Sequence, residues 1–583
     1  DLLPYLVRRL LENGANTSFV HSFLDPDVPV EDVARGPFEK AIDIKRHPSI
    51  PAPMALYGDD RMNSTGTDLS QTAVCERVAS AVKALHASLP ISATAMIGDT
   101  ASTGPAQAIT NPADRSAIIG HIVEASITDV DTAFKLAESA QPSWDQSGGI
   151  ARGAILRAMA DAMETDTDRL IALMALEAGK TLEDGIAEVR EAVDFCRYYA
   201  AQAEREFNED TRLPGPAGET NHLGLKGRGV FVCISPWNFP LAIFAGQVAA
   251  ALAAGNTVLA KPAEQTPLIA YEAVKMFRKA GLPDNVLHLL PGRGETIGAA
   301  LTTDLRTAGV AFTGSTEVAR LINRSLAARD AAIAPLIAET GGLNAMFVDT
   351  TALKEQVVDD AVMSAFGSAG QRCSALRIIF VPDDVADDFI EGLAGAMDEL
   401  AIGDPTNPAT DVGPVIDEEA RLILERHMER MQAEGRVIKQ LDIGTLANES
   451  SFYAPALVEI PSMDLLEREV FGPILHVIKY KPKQIDEITA ALAAKGYGLT
   501  LGIHSRLQSF HSQVQSAVPA GNVYVNRNMI GAVVGVQPFG GEGLSGTGPK
   551  AGGPHYLHRF AGERTVTVNI AAQGGDPELL NLS

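Results

Sequence analysis

The chain has 583 residues, 46% hydrophobic and 21% charged, which is too long for one core and ordinary for a globular protein of two to four domains. Its formal net charge of −25 excludes a general nucleic-acid binder, because phosphate affinity needs clustered Lys and Arg. Four cysteines, Cys75, Cys196, Cys233 and Cys373, form no CxxC or Cys/His ligand pattern. That argues against a disulfide framework or a metal site and suits a reducing, cytoplasmic setting. No apolar run reaches the roughly twenty residues of a membrane helix, and the start is no signal peptide. The chain begins at Asp1 inside a helical pattern, which predicts a piece of something longer.

Residues 2–14 (LLPYLVRRLLENG) carry helical apolar spacing and a glycine stop, predicting a short helix. Residues 22–70, rich in Pro, Asp and Gly, read as connector, and 71–90 as one more amphipathic helix. An Ala-rich helical stretch is predicted over 128–207, broken near PSWDQSGG. From Gly229 the texture changes: GVFVCISP, NTVLAKP, NVLHLLPG and GVAFTGS are β-rich runs ending in turn residues, separated by helical segments. This alternation predicts βαβ units and a parallel sheet, hence an α/β fold. A second alternating block spans about 346–530. The tail RTVTVNIAAQGGD alternates like an exposed strand suited to pairing with another subunit.

Ligands of parallel sheets bind beyond the carboxyl ends of the strands, and those ends hold the polar residues. SPWNFP (235–240) places Asn238 between two prolines that fix the backbone. KPAEQTP puts Lys261 and Glu264 just past a strand. PGRGETIG carries Gly292, Gly294 and Gly298, a GxGxxxG one residue longer than the dinucleotide fingerprint and weak alone. In FTGSTEVAR, Gly314 and Ser315 open a helix whose free N–H groups suit a pyrophosphate. ETGGLNA (339–345) sets a carboxylate beside paired glycines. In SAGQRCSALR (368–377) small residues surround Cys373, leaving room to approach the sulfur. Each element has a plainer reading: Glu339 as a solvated loop acid, Lys261 and Glu264 as a surface ion pair, Asn238 as a turn residue, Cys373 as a packed thiol. Their occurrence together, in order, at strand ends favours chemistry.

PWNFP, KPAEQTP, FTGST, ETGG, GQRCSA and EVFGP (469–473) resemble the aldehyde dehydrogenase superfamily over about residues 97–570. YLVRRLLENGANTSFV (5–20) is similar to the last helix of the proline dehydrogenase barrel in the bifunctional proline utilisation flavoenzymes, and VTVNIAAQGGDPELL to their tail. The resemblance is therefore to the pyrroline-5-carboxylate dehydrogenase half of that family. It implies a barrel remnant over 1–40, a linker over 41–115, a Rossmann-like NAD domain over 116–345 and a catalytic domain over 346–545. A C-terminal segment with a small β oligomerisation flap, 546–583, and a homo-oligomer complete it.

The resemblance also implies roles. Cys373 attacks the aldehyde to give a thiohemiacetal, and hydride departs to NAD, leaving a thioester. Asn238 and the Cys373 N–H receive the oxyanion. Glu339 activates water. Ser235, Pro236, Trp237, Lys261, Glu264, Gly294, Gly314, Ser315, Glu469 and Phe471 face NAD, with Glu264 favouring it over NADP. Ser374, Gly531 and Ala532 hold the carboxylate of glutamate semialdehyde, with Phe239 and Phe539 along its aliphatic chain. Arg8 and Arg9 match a pair that binds the proline carboxylate in the barrel; a last helix cannot enclose flavin, so FAD and proline oxidation are expected only of a longer parent. The implied reaction is oxidation of glutamate γ-semialdehyde to glutamate. The alternatives are another semialdehyde dehydrogenase of the same fold, or a non-catalytic relative.

Overall fold

The computed structural model describes residues 6–569 except 8, 12–18, 37, 40–41, 43–48, 59, 217 and 449. The chain divides into two compact units, Asp1–Gly58 and Asp59–Ser583. The first contains the short helices Phe19–Leu24 and Val30–Ala34 and a single turn, Pro53–Ala55. Of the helix predicted over 2–14, residues 6–7 and 9–11 are helical and the remainder lies outside the described residues. Arg8 is among the latter, and Arg9 is exposed.

The second unit is built on two seven-stranded sheets. The first runs in the order Leu336–Thr340, Thr307–Gly314, Val230–Ile234, Thr257–Lys261, Leu287–Leu289, Met96–Ile97, Thr100–Ala101. Its first five strands are parallel. Val230–Ile234 and Thr257–Lys261 are buried at every position, as strands covered on both faces must be. The chain moves outward from Val230–Ile234 in one direction, then returns to build Thr307–Gly314 and Leu336–Thr340 on the other side. The order therefore reverses between Val230–Ile234 and Thr307–Gly314, and the crevice opens at their carboxyl ends, beside Ser235 and Ser315.

The second sheet has the order Arg436–Gln440, Ala456–Glu459, Ile474–Tyr480, Ile378–Pro382, Ala345–Val348, Thr500–His504, Asn522–Val525, antiparallel only at its first pair. Glu339 lies at the carboxyl end of the first sheet, and Cys373 precedes the strand Ile378–Pro382 of the second. Two edges of opposite polarity thus meet at the candidate chemistry.

Two sequence expectations change. The helical stretch is four helices, Ile127–Gln146, Gly148–Thr165, Thr167–Ala178 and Leu182–Glu206. Beyond the predicted break near 147, it stops at Asp166 and again at Gly179, whose φ of 66° ends one helix before Thr181 caps the next. The expected connector over 41–115 holds, besides the helix predicted over 71–90 and found at Thr72–Ala87, strands from Ile91 onward, two of which extend the first sheet. The tail strand Ala561–Asn569 pairs antiparallel with Glu219–Gly227 and forms the edge of a three-stranded sheet, with no strand on its other side among the described residues; residues 570–576 of the expected stretch lie outside them. Among the described residues no helix is long and apolar enough to cross a membrane.

Candidate active site

The segment before Cys373 is strained. Ser368 and Ala369 have φ of 57° and 52°, and Gly370 has 66°, three successive left-handed residues. For the two L residues that conformation costs about 1–2 kcal/mol each, so neighbouring contacts must hold it. Gln371 does much of this: its N–H and Nε2 donate to Ser368 O at 3.0 and 3.3 Å, and its Oε1 accepts from Ile416 N at 2.8 Å. Only glycine suits position 370, where a Cβ would run into Gly472 O. Asn344, from the ETGGLNA motif, donates Nδ2 to Cys373 O at 2.6 Å and to Ala375 O at 3.0 Å. The turn presents Cys373 half-buried, with Ser374 buried behind it.

Burial, then the carboxylates of Glu469, Glu339 and Glu191, push the Cys373 thiol up to about 12; the Ser374 N–H acts the other way. Burial likewise raises Glu339 to about 8, opposed by the Gly541 N–H and Lys550. The Glu339 Oε2 accepts from Gly541 N at 3.1 Å, and its Oε1 is buried without a partner among the described residues. A partnerless buried carboxylate oxygen beside a thiol is a proton acceptor in waiting.

Asn238 reaches the same turn: its Nδ2 donates to Gln371 O at 3.0 Å. Its own carbonyl accepts from Lys180 Nζ at 2.8 Å. Lys180 pairs with Glu188 at 2.8 Å, with side chains 3% and 0% exposed, and Glu188 Oε1 accepts from Leu241 N and Ala242 N, the start of the next helix. Phe239 has Lys180 Nζ 4.2 Å and the Arg372 guanidinium 5.6 Å from its ring centre. Arg372 in turn pairs with Asp184.

The expected nucleotide residues form linked groups. Lys261 Nζ meets Glu264 Oε1 at 3.1 Å, and the same oxygen accepts from Gly294 N at 2.6 Å. The Gly294 N–H is therefore committed to Glu264 rather than left for a phosphate. Ser235 N donates to Lys261 O at 3.1 Å, while its buried Oγ has no partner among the described residues. Ser315 caps the helix Thr316–Ala327, its Oγ accepting from Val318 N at 3.2 Å, with Gly314 ending the strand before it. Glu469 pairs with Arg377 at 2.9 Å. Phe471 meets Trp237, one residue past Pro236, edge-on at 5.6 Å and lies 5.1 Å from the Arg377 guanidinium. A Cβ at Gly341 would fall on the Glu469 carboxylate, so any side chain there would have to displace Glu469.

The expected substrate loop joins this region through Ser364. Met529 N donates to Ser364 Oγ at 3.1 Å, and Leu376 N to Ser364 O at 2.9 Å. Gly531 and Ala532 are half-buried, and a Cβ on Gly531 would lie 3.0 Å from Arg527 Nη2. Phe539, also half-buried, exchanges both backbone bonds with Ala551. The structure thus brings residues 235–239, 339–341, 371–377 and 469–471 together; Lys261, Glu264 and Gly294 lie one strand along.

Sequence reasoning passed over Arg377, Asn344, Lys180, Glu188 and Lys550. Arg377 and Asn344 stand inside quoted motifs, where a polar residue ringed by apolar ones was signal enough. The others have no local signature. Among the described residues no group of three or more His, Cys, Asp or Glu could hold a metal ion.

With this geometry, comparison with known proteins is specific. The sequence profile described as the Aldehyde dehydrogenase family matches residues 100–566. The bifunctional protein PutA of Klebsiella aerogenes is 48% identical over 601 residues, covering 99% of this chain and 44% of its own length. The chain therefore spans under half of that relative. The 1-pyrroline-5-carboxylate dehydrogenase of Geobacillus sp. (strain WCH70) is 36% identical over 463 residues, 78% of this chain and 89% of that protein. A crystal structure of 1-pyrroline-5-carboxylate dehydrogenase from Thermus with bound NAD superposes with a TM-score of 0.82 at 30% identity, covering 90% of this chain and all (100%) of that one. A thiol on a strained turn, a carboxylate from the other sheet whose charge reaches it and a match over most of the length agree: the chain belongs to the aldehyde dehydrogenase family.

Proposed function

We propose that the chain oxidises L-glutamate γ-semialdehyde, the open form of 1-pyrroline-5-carboxylate, to L-glutamate with NAD as acceptor. The observation that carries this is half-buried Cys373 within the electrostatic reach of Glu339, whose Oε1 is buried without a partner among the described residues, in a chain similar over 78% of its length to a 1-pyrroline-5-carboxylate dehydrogenase. A homo-oligomer and a cytoplasmic setting belong to the same proposal. Purified chain given glutamate semialdehyde should form NADH, and form it more slowly with succinate semialdehyde or butanal. A preference for succinate semialdehyde would reassign the substrate.

The residues divide the work. Cys373 sulfur bonds the aldehyde carbon as its proton passes to Glu339 Oε1, and the aldehyde oxygen takes the charge. Asn238 Nδ2 and the Cys373 N–H donate to that oxygen; the buried Lys180–Glu188 pair keeps Asn238 from turning away. Bound NAD supplies the hydride acceptor. Glu339, relieved of its proton, activates the water that releases glutamate from the thioester. The nucleotide fits the residues present: the partnerless Ser235 Oγ and the Ser315 helix start are donors for its phosphates, and Glu264, oriented by Lys261 and Gly294, accepts from the adenosine ribose hydroxyls. Glu469 does the same for the second ribose, with Phe471 and Trp237 beside the ring.

Because Glu264 is locked by two donors, its charge cannot swing from a 2′-phosphate. Glu264→Gln should narrow the NAD over NADP preference by about 10-fold, the worth of one hydrogen bond to a charged group, read as the ratio of kcat/KM values. A native preference for NADP would end the ribose assignment. For the carboxylate end, Ser374→Ala and Gly531→Leu should lower kcat/KM for glutamate semialdehyde by roughly 10- to 150-fold and spare butanal. Equal losses on both aldehydes would place the carboxylate anchor elsewhere.

A further inference from the structure

Arg377 is one of the largest fully buried side chains in the molecule, 1% exposed. A buried guanidinium is tolerated only when its donors are matched, and these are matched across three segments. Nη2 and Nε donate to Glu469 Oε1 at 2.9 and 3.3 Å. Nη1 donates to Gly370 O at 2.6 Å and Gly472 O at 3.3 Å, and Nη2 also to Arg372 O at 3.0 Å. One planar group therefore holds the carboxylate assigned above to the second ribose and the two carbonyls that flank Gln371 in the turn before Cys373.

The backbone of Arg377 is held as firmly. Its carbonyl accepts from His476 N at 3.0 Å and from His476 Nδ1 at 2.9 Å. Nδ1 must then carry the proton, and in a neutral ring Nε2 is the acceptor. His427 Nε2, 2.9 Å away, is the donor to it. Burial keeps both imidazoles neutral, so a fixed chain runs from His427 through His476 to Arg377.

We propose that Arg377 is a positioning residue that couples Glu469 to the turn carrying Cys373, so that ribose hydroxyls bound on Glu469 are sensed at the sulfur. This rests on the reading of Glu469 as a ribose ligand. Hydroxyls donating to Glu469 disperse the charge that weighs most on the thiol after burial. They also share the carboxylate with Arg377, whose remaining donors close on Gly370 O and Arg372 O. The first effect favours the thiolate, and the second ties that response to the turn that carries the sulfur. Glu469 becomes the sensor, Arg377 the link and Cys373 the readout.

ADP-ribose tests this, because it carries the second ribose without a nicotinamide ring to shield the sulfur; AMP ends before that ribose. Alkylation of Cys373 by iodoacetamide is followed by peptide mass spectrometry on the whole chain, with binding measured by calorimetry. Lowering the thiol by one pKa unit gives tenfold more thiolate of lower nucleophilicity, a net acceleration of about threefold. ADP-ribose should produce it and AMP should not. In Arg377→Lys and Glu469→Gln, ADP-ribose should bind without accelerating alkylation. If Arg377→Lys does not fold, Glu469→Gln decides, since its amide keeps the shape and loses the charge. Binding of ADP-ribose to the native chain without acceleration, or acceleration kept in a folded variant, overturns this inference alone. Absence of ADP-ribose binding overturns the nucleotide reading and this inference with it.

Discussion

Cys373→Ala should reduce NADH formation from glutamate semialdehyde by roughly 10⁴-fold or more, the scale on which removal of a covalent nucleophile is felt, while NAD still binds. The variant should fold, because the turn is held by groups other than the sulfur: Asn344 grips the Cys373 carbonyl, Gln371 grips Ser368, and Arg377 grips Gly370 and Arg372. Truncating a half-buried side chain also leaves little cavity. The other cysteines sharpen the expectation. Cys196 and Cys233 are fully buried in the core, their thiols pushed up by burial, and nothing can approach them. Stopped-flow absorbance for NADH, beside calorimetry for NAD, separates lost chemistry from lost binding. Turnover near the native rate would remove Cys373 from the mechanism.

The meeting of two sheets explains why so few residues of the motifs are adjacent in sequence yet adjacent in space. Parallel strands all end on one edge, so the turns after Ile234, Lys261, Gly314 and Thr340 are brought side by side by the sheet itself. The second sheet offers its opposite edge, and with it the strained turn that aims Cys373 back at the first. Strain is affordable there because Gln371 and Arg377 are themselves buried and fully engaged.

That edge logic is what made the α/β fold legible from sequence. Runs such as VFVCI and TVLAK, apolar at every position, belong to strands covered on both faces, and the turn residues after them mark the crevice. The breaks at Asp166 and Gly179 were hidden because Ala-rich helices on both sides keep the same composition; a glycine in the left-handed region marks the second stop, and none marks the first. The left-handed run at Ser368 and Ala369 was hidden for the opposite reason: neither residue prefers that conformation, and long-range bonds impose it. His427 and His476 stand 49 positions apart and Lys180 and Asn238 58 apart, so no local pattern announces their bonds. The tail strand did alternate visibly. Its partner, Glu219–Gly227, lies more than three hundred residues earlier, beyond what alternation can specify.

Glu339→Gln should lower steady turnover by roughly 100-fold or more, the usual worth of a general base, and should erase the pH dependence expected of the native chain. Burial raises the native carboxyl to about 8. Only the ionised form can take a proton, so at pH 7 about a tenth of the molecules are competent. Turnover limited by thioester hydrolysis should therefore climb about tenfold per pH unit below that value and level off above it. The glutamine variant has no carboxyl to titrate and should be flat across the same window. The first turnover should suffer less. Above pH 8 the native Glu339 charge is one of those that hold the thiol protonated, and replacing it with an amide relieves that opposition even as the proton acceptor is lost. A burst of NADH should remain in the variant, followed by a slow steady phase. Rapid-mixing absorbance at several pH values reads both phases. Disappearance of the burst along with the steady rate would make Glu339 the sole acceptor for the thiol proton, with no substitute in the variant, whereas an unchanged steady rate would exclude it from both roles.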